Sequence, residues 1–157
     1  MAKVLIIYHS RTGRTKAIAD ALKENFVKEK TECVVKDVKD AKIEDLKDFD
    51  GIIIGAPTYY GSMSAEVKKF LDDSVKLHTK LDGKVGGAFT SSANLAGGNE
   101  TTILSILNAM LIHGMIIQGD PIGSHYGPVL VTDLDDRVKK ECERFASRFV
   151  RLLKKVA

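Results

Sequence analysis

The chain is predicted to fold as a doubly wound α/β protein, a five-stranded parallel sheet with helices on both faces. Three observations predict it: short continuous apolar runs, amphipathic helical stretches between them, and polar, glycine-bearing loops behind the strands. Val4-Leu5-Ile6-Ile7-Tyr8 is unbroken apolar, as a strand buried on both faces must be, and the pattern recurs at Gly51-Ile52-Ile53-Ile54-Gly55 and from Val85 to Phe89. These are the central strands. Cys33-Val34-Val35-Lys36-Asp37-Val38 is the most polar candidate and suits an edge. Met115-Ile116-Ile117 supplies the fifth strand. Between strands, Ile18, Leu22 and Phe26 recur at helical spacing, as do Val67, Phe70, Leu71 and Ser74. Ile103, Ile106, Leu107 and Met110 form a third stripe, and Val138, Cys142, Phe145, Phe149 and Leu152 a fourth. Right-handed crossovers between parallel strands then place helices on both sides of the sheet. Ala41 to Leu46 reads as a short segment.

The chain's 157 residues suffice for one such unit, residues 1–157, and leave none for a second. No apolar run reaches the roughly 20 residues of a membrane helix, and Lys3 to Ile7 opens the chain without a signal-peptide pattern, so a cytoplasmic protein with no membrane insertion is expected. Cys33 and Cys142 form no ligand cluster and read as small hydrophobes, so no metal is expected. The 24 basic and 21 acidic residues are mixed, and a net charge of +3 is too weak a bias for nucleic-acid binding.

In open α/β sheets ligands sit beyond the carboxyl ends of the strands, and the loops there are the least ordinary in the sequence. Ser10-Arg11-Thr12-Gly13-Arg14-Thr15 carries three hydroxyls and one glycine into a helix. First-turn N–H groups, added hydroxyls and the helix dipole make such a loop an anion site, and Gly13 lets the turn close. A plain N-cap is the simpler alternative, but three hydroxyls with Arg11 and Arg14 exceed what capping requires, which favours a bound phosphate. The loop is neither a Walker A nor a GxGxxG pattern. The third strand ends in Gly55-Ala56-Pro57-Thr58-Tyr59-Tyr60-Gly61-Ser62-Met63-Ser64. Tyr59 alone fits a local plug as well as a stacking ring, but two adjacent aromatics do not both pack inside, so at least one is expected to meet a flat ligand. The fourth strand runs into Thr90-Ser91-Ser92-Ala93-Asn94-Leu95-Ala96-Gly97-Gly98-Asn99-Glu100, small residues that let backbone N–H groups approach a ligand. A flexible connection is the alternative; its length favours a binding loop.

Taken together, these residues resemble the flavodoxin-like superfamily. Ile6-Ile7-Tyr8 followed by Ser10, Gly13, Thr15, Ala19 and Leu22 fits its signature position by position. Within it the chain is most similar to the WrbA family of FMN-dependent NAD(P)H:quinone oxidoreductases. Met1 to Leu5, Gly61-Ser62-Met63-Ser64, Phe70-Leu71-Asp72, Gly97-Gly98 with Glu100-Thr101, and His113-Gly114-Met115 carry that resemblance. It implies a flavodoxin-like FMN-binding domain with strand order 2-1-3-4-5. It further implies that Ser10, Arg11, Thr12, Gly13, Arg14 and Thr15 hold the FMN phosphate and that Pro57, Thr58, Tyr59, Tyr60 and Gly61 flank the isoalloxazine. Ser92, Ala93, Asn94, Leu95, Ala96, Gly97 and Gly98 would face the pyrimidine edge, where N–H donors stabilise the charge that reduction leaves. His113 corresponds to a histidine that reaches the flavin, and flavin contact is the favoured expectation; the alternative, read from the residues alone, is a helix C-terminal cap beside Gly114, where a partly cationic imidazole suits the dipole. No residue is assigned as a catalytic acid, base or nucleophile. The chain departs from the family in four places, one of them the stretch after the second strand, which is shorter than in the longer family members. Thr12 stands where an aromatic is common, Lys76 to Lys84 is shorter and lacks a tryptophan, and the loop before the last helix is cut back to His125-Tyr126-Gly127-Pro128. Tyr126 reads either as a replacement wall for the pocket or as a turn residue.

The leading expectation is a ping-pong cycle in which NADH or NADPH reduces FMN and a quinone or other flat acceptor takes two electrons. The alternatives are a one-electron carrier docking on redox proteins and a module that has lost the flavin. Carriers of that kind are commonly acidic, whereas this chain is slightly basic, and the intact phosphate loop argues against loss of the flavin. The resemblance also implies a homodimer or homotetramer, with Leu104, Leu111 and Ile112 as exposed apolar positions.

Overall fold

The computed structural model describes residues 1–156. Strand β1 (Lys3–Tyr8) leads into helix α1 (Arg14–Lys28), and β2 (Glu32–Asp37) is followed by a 3₁₀ helix at Ile43–Asp48. Strand β3 (Gly51–Pro57) precedes α2 (Ala65–Asp73) and a 3₁₀ turn, Ser74–Leu77. Then come β4 (Val85–Ser91), α3 (Asn99–Ile112), two short strands, β5 (Ile116–Ile117) and β6 (Val129–Leu130), and α4 (Asp136–Val156). The sheet is parallel with order β2-β1-β3-β4-β5, the order that the family resemblance implies.

Side-chain alternation along β1 divides the core in two. Val4, Ile6 and Tyr8 face α1 and α4, among Ile18, Leu22, Phe26 and Phe149. Leu5 and Ile7 face α2 and α3, among Val67, Phe70, Ile103 and Met110. Every residue of β3 and β4 is buried, as a central strand covered on both faces requires. Cys142 lies in the first core and Cys33 packs against it, and burial pushes both thiols up to about 12, so neither supplies a thiolate near neutral pH.

Three local expectations are corrected. Ser74 does not extend the apolar stripe of α2; the helix ends at Asp73, and the buried Ser74 hydroxyl donates to Leu71 O at 2.6 Å. Leu104 is half-buried against the second core, whereas Leu111 and Ile112 are exposed. The fifth position in the sheet is held by two strands rather than one. Ile116 and Ile117 pair with Val85 and Gly86, and Val129 and Leu130 pair with Thr90 and Ser91. Between them residues 118–128 leave the sheet. Asp120 organises this excursion: its carboxylate accepts from the N–H groups of Ile122 and Gly123 and takes a two-pronged ion pair from Arg144 of α4, at 2.5 and 2.7 Å. That guanidinium holds the Asp120 carboxyl well below the usual carboxylate range. The rest of the excursion carries no alternating apolar pattern, which is why periodicity alone shows one strand and not its continuation.

Candidate functional site

The carboxyl ends of β1, β3 and β4 stand side by side, so the loops that follow them meet at one edge of the sheet. After β1, Gly13 sits at the N-cap of α1 with φ +92, a left-handed conformation that glycine adopts without strain. Ser10 Oγ accepts from the N–H groups of Gly13 and Lys16, at 3.0 and 3.3 Å, and keeps its own hydrogen for a further acceptor. The first-turn N–H groups of Arg14 and Thr15 have no intrahelical carbonyl to bond. Arg11, Thr12 and Arg14 are exposed around them. Thr15 differs: it is buried, and its hydroxyl is spent inside the protein, 2.8 Å from Ser91 Oγ. What faces solvent is therefore a ring of backbone N–H groups, two free hydroxyl hydrogens and two guanidinium groups, a donor set suited to a phosphate.

After β3, the N–H and C=O of Tyr59 and Ser62 bond reciprocally at 3.0 and 3.1 Å. The tip between them is Tyr60-Gly61, with φ +50 and +76. Two positive φ values match a type I′ turn, which favours Asn-Gly; a bulky aromatic there is strained. That ring is fully exposed, and Tyr59 is 36% exposed, so neither tyrosine plugs the loop. Pro57 is buried at the end of the strand. Thr58 N–H donates to Ser91 O at 2.8 Å, and its hydroxyl lies 2.9 Å from that of Thr90.

After β4, Ser92 is buried, and its hydroxyl donates to Asn94 O and accepts from the Asn99 side chain. Gly97 N–H closes a turn on Asn94 O. Residues 93–97 face solvent, and Ala96 has φ +53. Gly98, with φ +92, begins α3 against the neighbouring loop: a Cβ there would lie 2.8 Å from Gly61 Cα. Thr101 Oγ1 donates to Gly61 O at 2.7 Å and fixes the same junction.

The three loops named from the sequence thus come together, stapled by Thr15 to Ser91, Thr58 to Ser91 and Thr101 to Gly61. His113 does not join them. It is the C-cap of α3, about 20 Å along the helix from Asn99 at 1.5 Å per residue. There its Nε2 lies 2.8 Å from Ser74 Oγ, its Nδ1 is buried without a partner, and its ring is 6.3 Å from that of His78. Burial, reinforced by His78, lowers its pKa, so the neutral ring is favoured over a cation interacting with the helix dipole. The position is a cap, as one reading had it, and it lies at the opposite end of α3 from the three loops. Tyr126, 42% exposed on the excursion, lines a groove with Leu95, Asn99 and Ile103, beside the third loop. Thr90, Ser91 and Thr101 stand in the loop and motif named from the sequence, but without a role as staples, and His9 was not singled out. A hydroxyl directly behind each glycine-rich loop was the available signal.

Strand order, the strained loop tips and the donor-lined turn ahead of α1 define a doubly wound protein of the flavodoxin type, with its ligand edge at the carboxyl ends of the strands. A family model described as a flavodoxin domain matches residues 5–108, and the chain belongs to that family. It is 36% identical to a NAD(P)H dehydrogenase (quinone) from Sinorhizobium fredii over 185 aligned positions, covering 95% of this chain and 93% of the relative. It is 32% identical to a flavodoxin from Clostridium saccharobutylicum, covering 98% of this chain and 99% of that one. A solved WrbA-like flavodoxin from Agrobacterium tumefaciens matches with a TM-score of 0.84 at 26% identity, over the whole of both chains.

Proposed function

We propose that the protein is an FMN-dependent NAD(P)H:quinone oxidoreductase, working by alternate entry of a nicotinamide donor and a flat acceptor at one face of the flavin. The observation that carries this reading is the junction of the three loops, donor-lined on one side and ending in an exposed, strained aromatic on the other. The flavodoxin domain implies FMN. The residues fit it: the N–H groups of Arg14 and Thr15, the Ser10 and Thr12 hydroxyls and the Arg11 and Arg14 side chains would hold the phosphate. Tyr59 and Tyr60 would stack on the ring, and the N–H groups of the Ala93 to Gly98 loop would face its polar edge. When bound, FMN supplies two-electron hydride chemistry. The protein's share is to bind, orient and stabilise charge. Donors at the start of α3 and in its approach loop favour negative charge where it develops, and no side chain is required to carry a proton.

The family resemblance and the name of the Sinorhizobium relative support the quinone reaction. An electron carrier is the second reading, and one observation favours it. The alignment with the quinone dehydrogenase is longer than this chain, so that relative carries insertions absent here, whereas the Clostridium flavodoxin matches almost end to end. Against it stands a net charge of +3, the wrong sign for steering toward basic partners. No helix among the described residues is long and apolar enough to cross a membrane, and the proposed location is the cytoplasm. A homodimer or homotetramer is proposed with it, using the exposed Val75, Leu111 and Ile112.

The test is anaerobic. FMN-loaded protein is mixed with NADH or NADPH, the visible flavin absorbance is followed, and benzoquinone is then added. Rapid bleaching by one nucleotide and recovery with the quinone is the expected result. Bleaching by dithionite alone would transfer the assignment to a carrier fed by another protein.

A further inference from the structure

Between the first strand and the anion loop stands a histidine that neither the fold nor the proposed reaction requires. His9 follows β1 directly, and its N–H donates to Gly55 O at 3.1 Å, which fixes its backbone against β3. Alternation along β1 places it on the face of Leu5 and Ile7, toward α2. There its Nδ1 lies 2.9 Å from Ser64 Oγ and 3.4 Å from Glu66 Oε2, with the imidazole 18% exposed.

Ser64 is the unusual partner. It occupies the N-cap of α2 in extended backbone, where a serine hydroxyl ordinarily accepts from a first-turn N–H. It makes no such bond; the side chain is turned to His9 instead, and the residue is wholly buried. The nearby Glu66 carboxylate can only accept, so a ring nitrogen facing both oxygens is favoured with its hydrogen in place. On that ground the bond is assigned as Nδ1–H of His9 donating to Ser64 Oγ.

We infer that His9 is a positioning residue for the flavin, a cross-link that holds the phosphate grip and the ring platform at a fixed separation. The inference rests on the flavin reading above. His9 is covalently next to Ser10, the first residue of the phosphate loop. Ser64 closes the loop that carries Tyr59 and Tyr60. The other staples reach β4 or α3, whereas this bond runs from the first loop to the base of the second. FMN spans both loops, so their relative placement before binding sets how much ordering the ligand must impose.

The test is a mutant cycle read as FMN affinity by fluorescence quenching, with thermal stability of the flavin-free protein measured alongside. His9→Leu and Ser64→Ala are each expected to weaken FMN binding by about tenfold, the double variant no further than either alone, and His9→Asn, whose amide donates from nearly the same place, by less than about threefold. Unchanged affinity in His9→Leu, or single effects that multiply in the double variant, would overturn the proposal. If His9→Leu does not fold, Ser64→Ala against His9→Asn carries the same comparison. Wild-type protein that fails to bind FMN would overturn the flavin reading itself; wild-type binding with indifferent variants would overturn only the role of His9. Nitrogen NMR of the flavin-free protein supplies a readout independent of the ligand. The Nδ1–H tautomer is expected in wild type, and an Nε2–H tautomer there would contradict the bond.

Discussion

The two ends of helix α3 are built on opposite terms. At its start, Gly98 presses against Gly61, Asn99 and Thr101 hydrogen-bond into neighbouring loops, and positive φ values occur at Ala96 and Gly98 and across the facing turn at Tyr60 and Gly61. At its end, His113 caps the helix over Ser74, buried and uncharged, beside an apolar groove lined by Met63, Leu71, Val75 and Ile112. One end spends backbone strain and polar side chains to present donors; the other spends them to close a core. The family motifs place Gly97-Gly98 and His113 in one list, but a helix of 14 residues keeps them at opposite edges of the sheet. Strain concentrated at one end is the better guide to function.

The comparison breaks most sharply at Gly98. Gly98→Val puts a branched side chain at positive φ against the Gly61 backbone, and it is expected to abolish FMN binding and to lower stability by about 2–4 kcal/mol, read by flavin titration and denaturant unfolding. Next in size is the anion loop. Arg14→Ala with Thr15→Ala removes a charged donor and the buried tie to Ser91, and FMN affinity should fall by about 30-fold or more; undiminished affinity would place the phosphate elsewhere.

The far end predicts a pH effect of opposite character. His113 is held neutral by burial, so the unfolded chain, whose histidine titrates near about pH 6.5, takes up the proton first. Stability from this group is full above about pH 6.5 and is lost as pH falls toward the lower folded-state value. The melting temperature of the flavin-free protein should therefore drop between about pH 7.5 and 5.5, and His113→Gln should flatten that slope. The smallest effect belongs to the turn tip. Tyr60→Asn relieves the left-handed strain and should stabilise the protein by about 0.5–1 kcal/mol while slowing quinone reduction, since the exposed ring is lost.

The apolar runs of β1, β3 and β4 and the stripes of α1, α3 and α4 were legible because burial on both faces leaves a periodicity in one chain alone. The three loops were legible for a different reason: glycine, hydroxyl and aromatic residues clustered where a connection needs none of them. The broken fifth position was not legible. Val129 and Leu130 are too few to show a period, and the excursion ahead of them is held by the Asp120 to Arg144 clasp, a contact between distant segments. Thr15 shows the same limit at the site. Its hydroxyl counted as a phosphate donor in the sequence, yet the fold turns it to Ser91. The bond between His9 and Ser64 was silent because one looks like a strand end and the other, though part of a family motif, like an ordinary cap.

The central claim is that the loop from Ser10 to Thr15 grips a flavin phosphate while the other two loops hold the ring. Titrating the flavin-free protein with FMN and with riboflavin, which lacks the phosphate, tests both halves at once. FMN should bind about 100-fold or more tighter than riboflavin, the share expected of two or more charge-assisted hydrogen bonds. Equal affinity for the two, or no quenching of either, would contradict it.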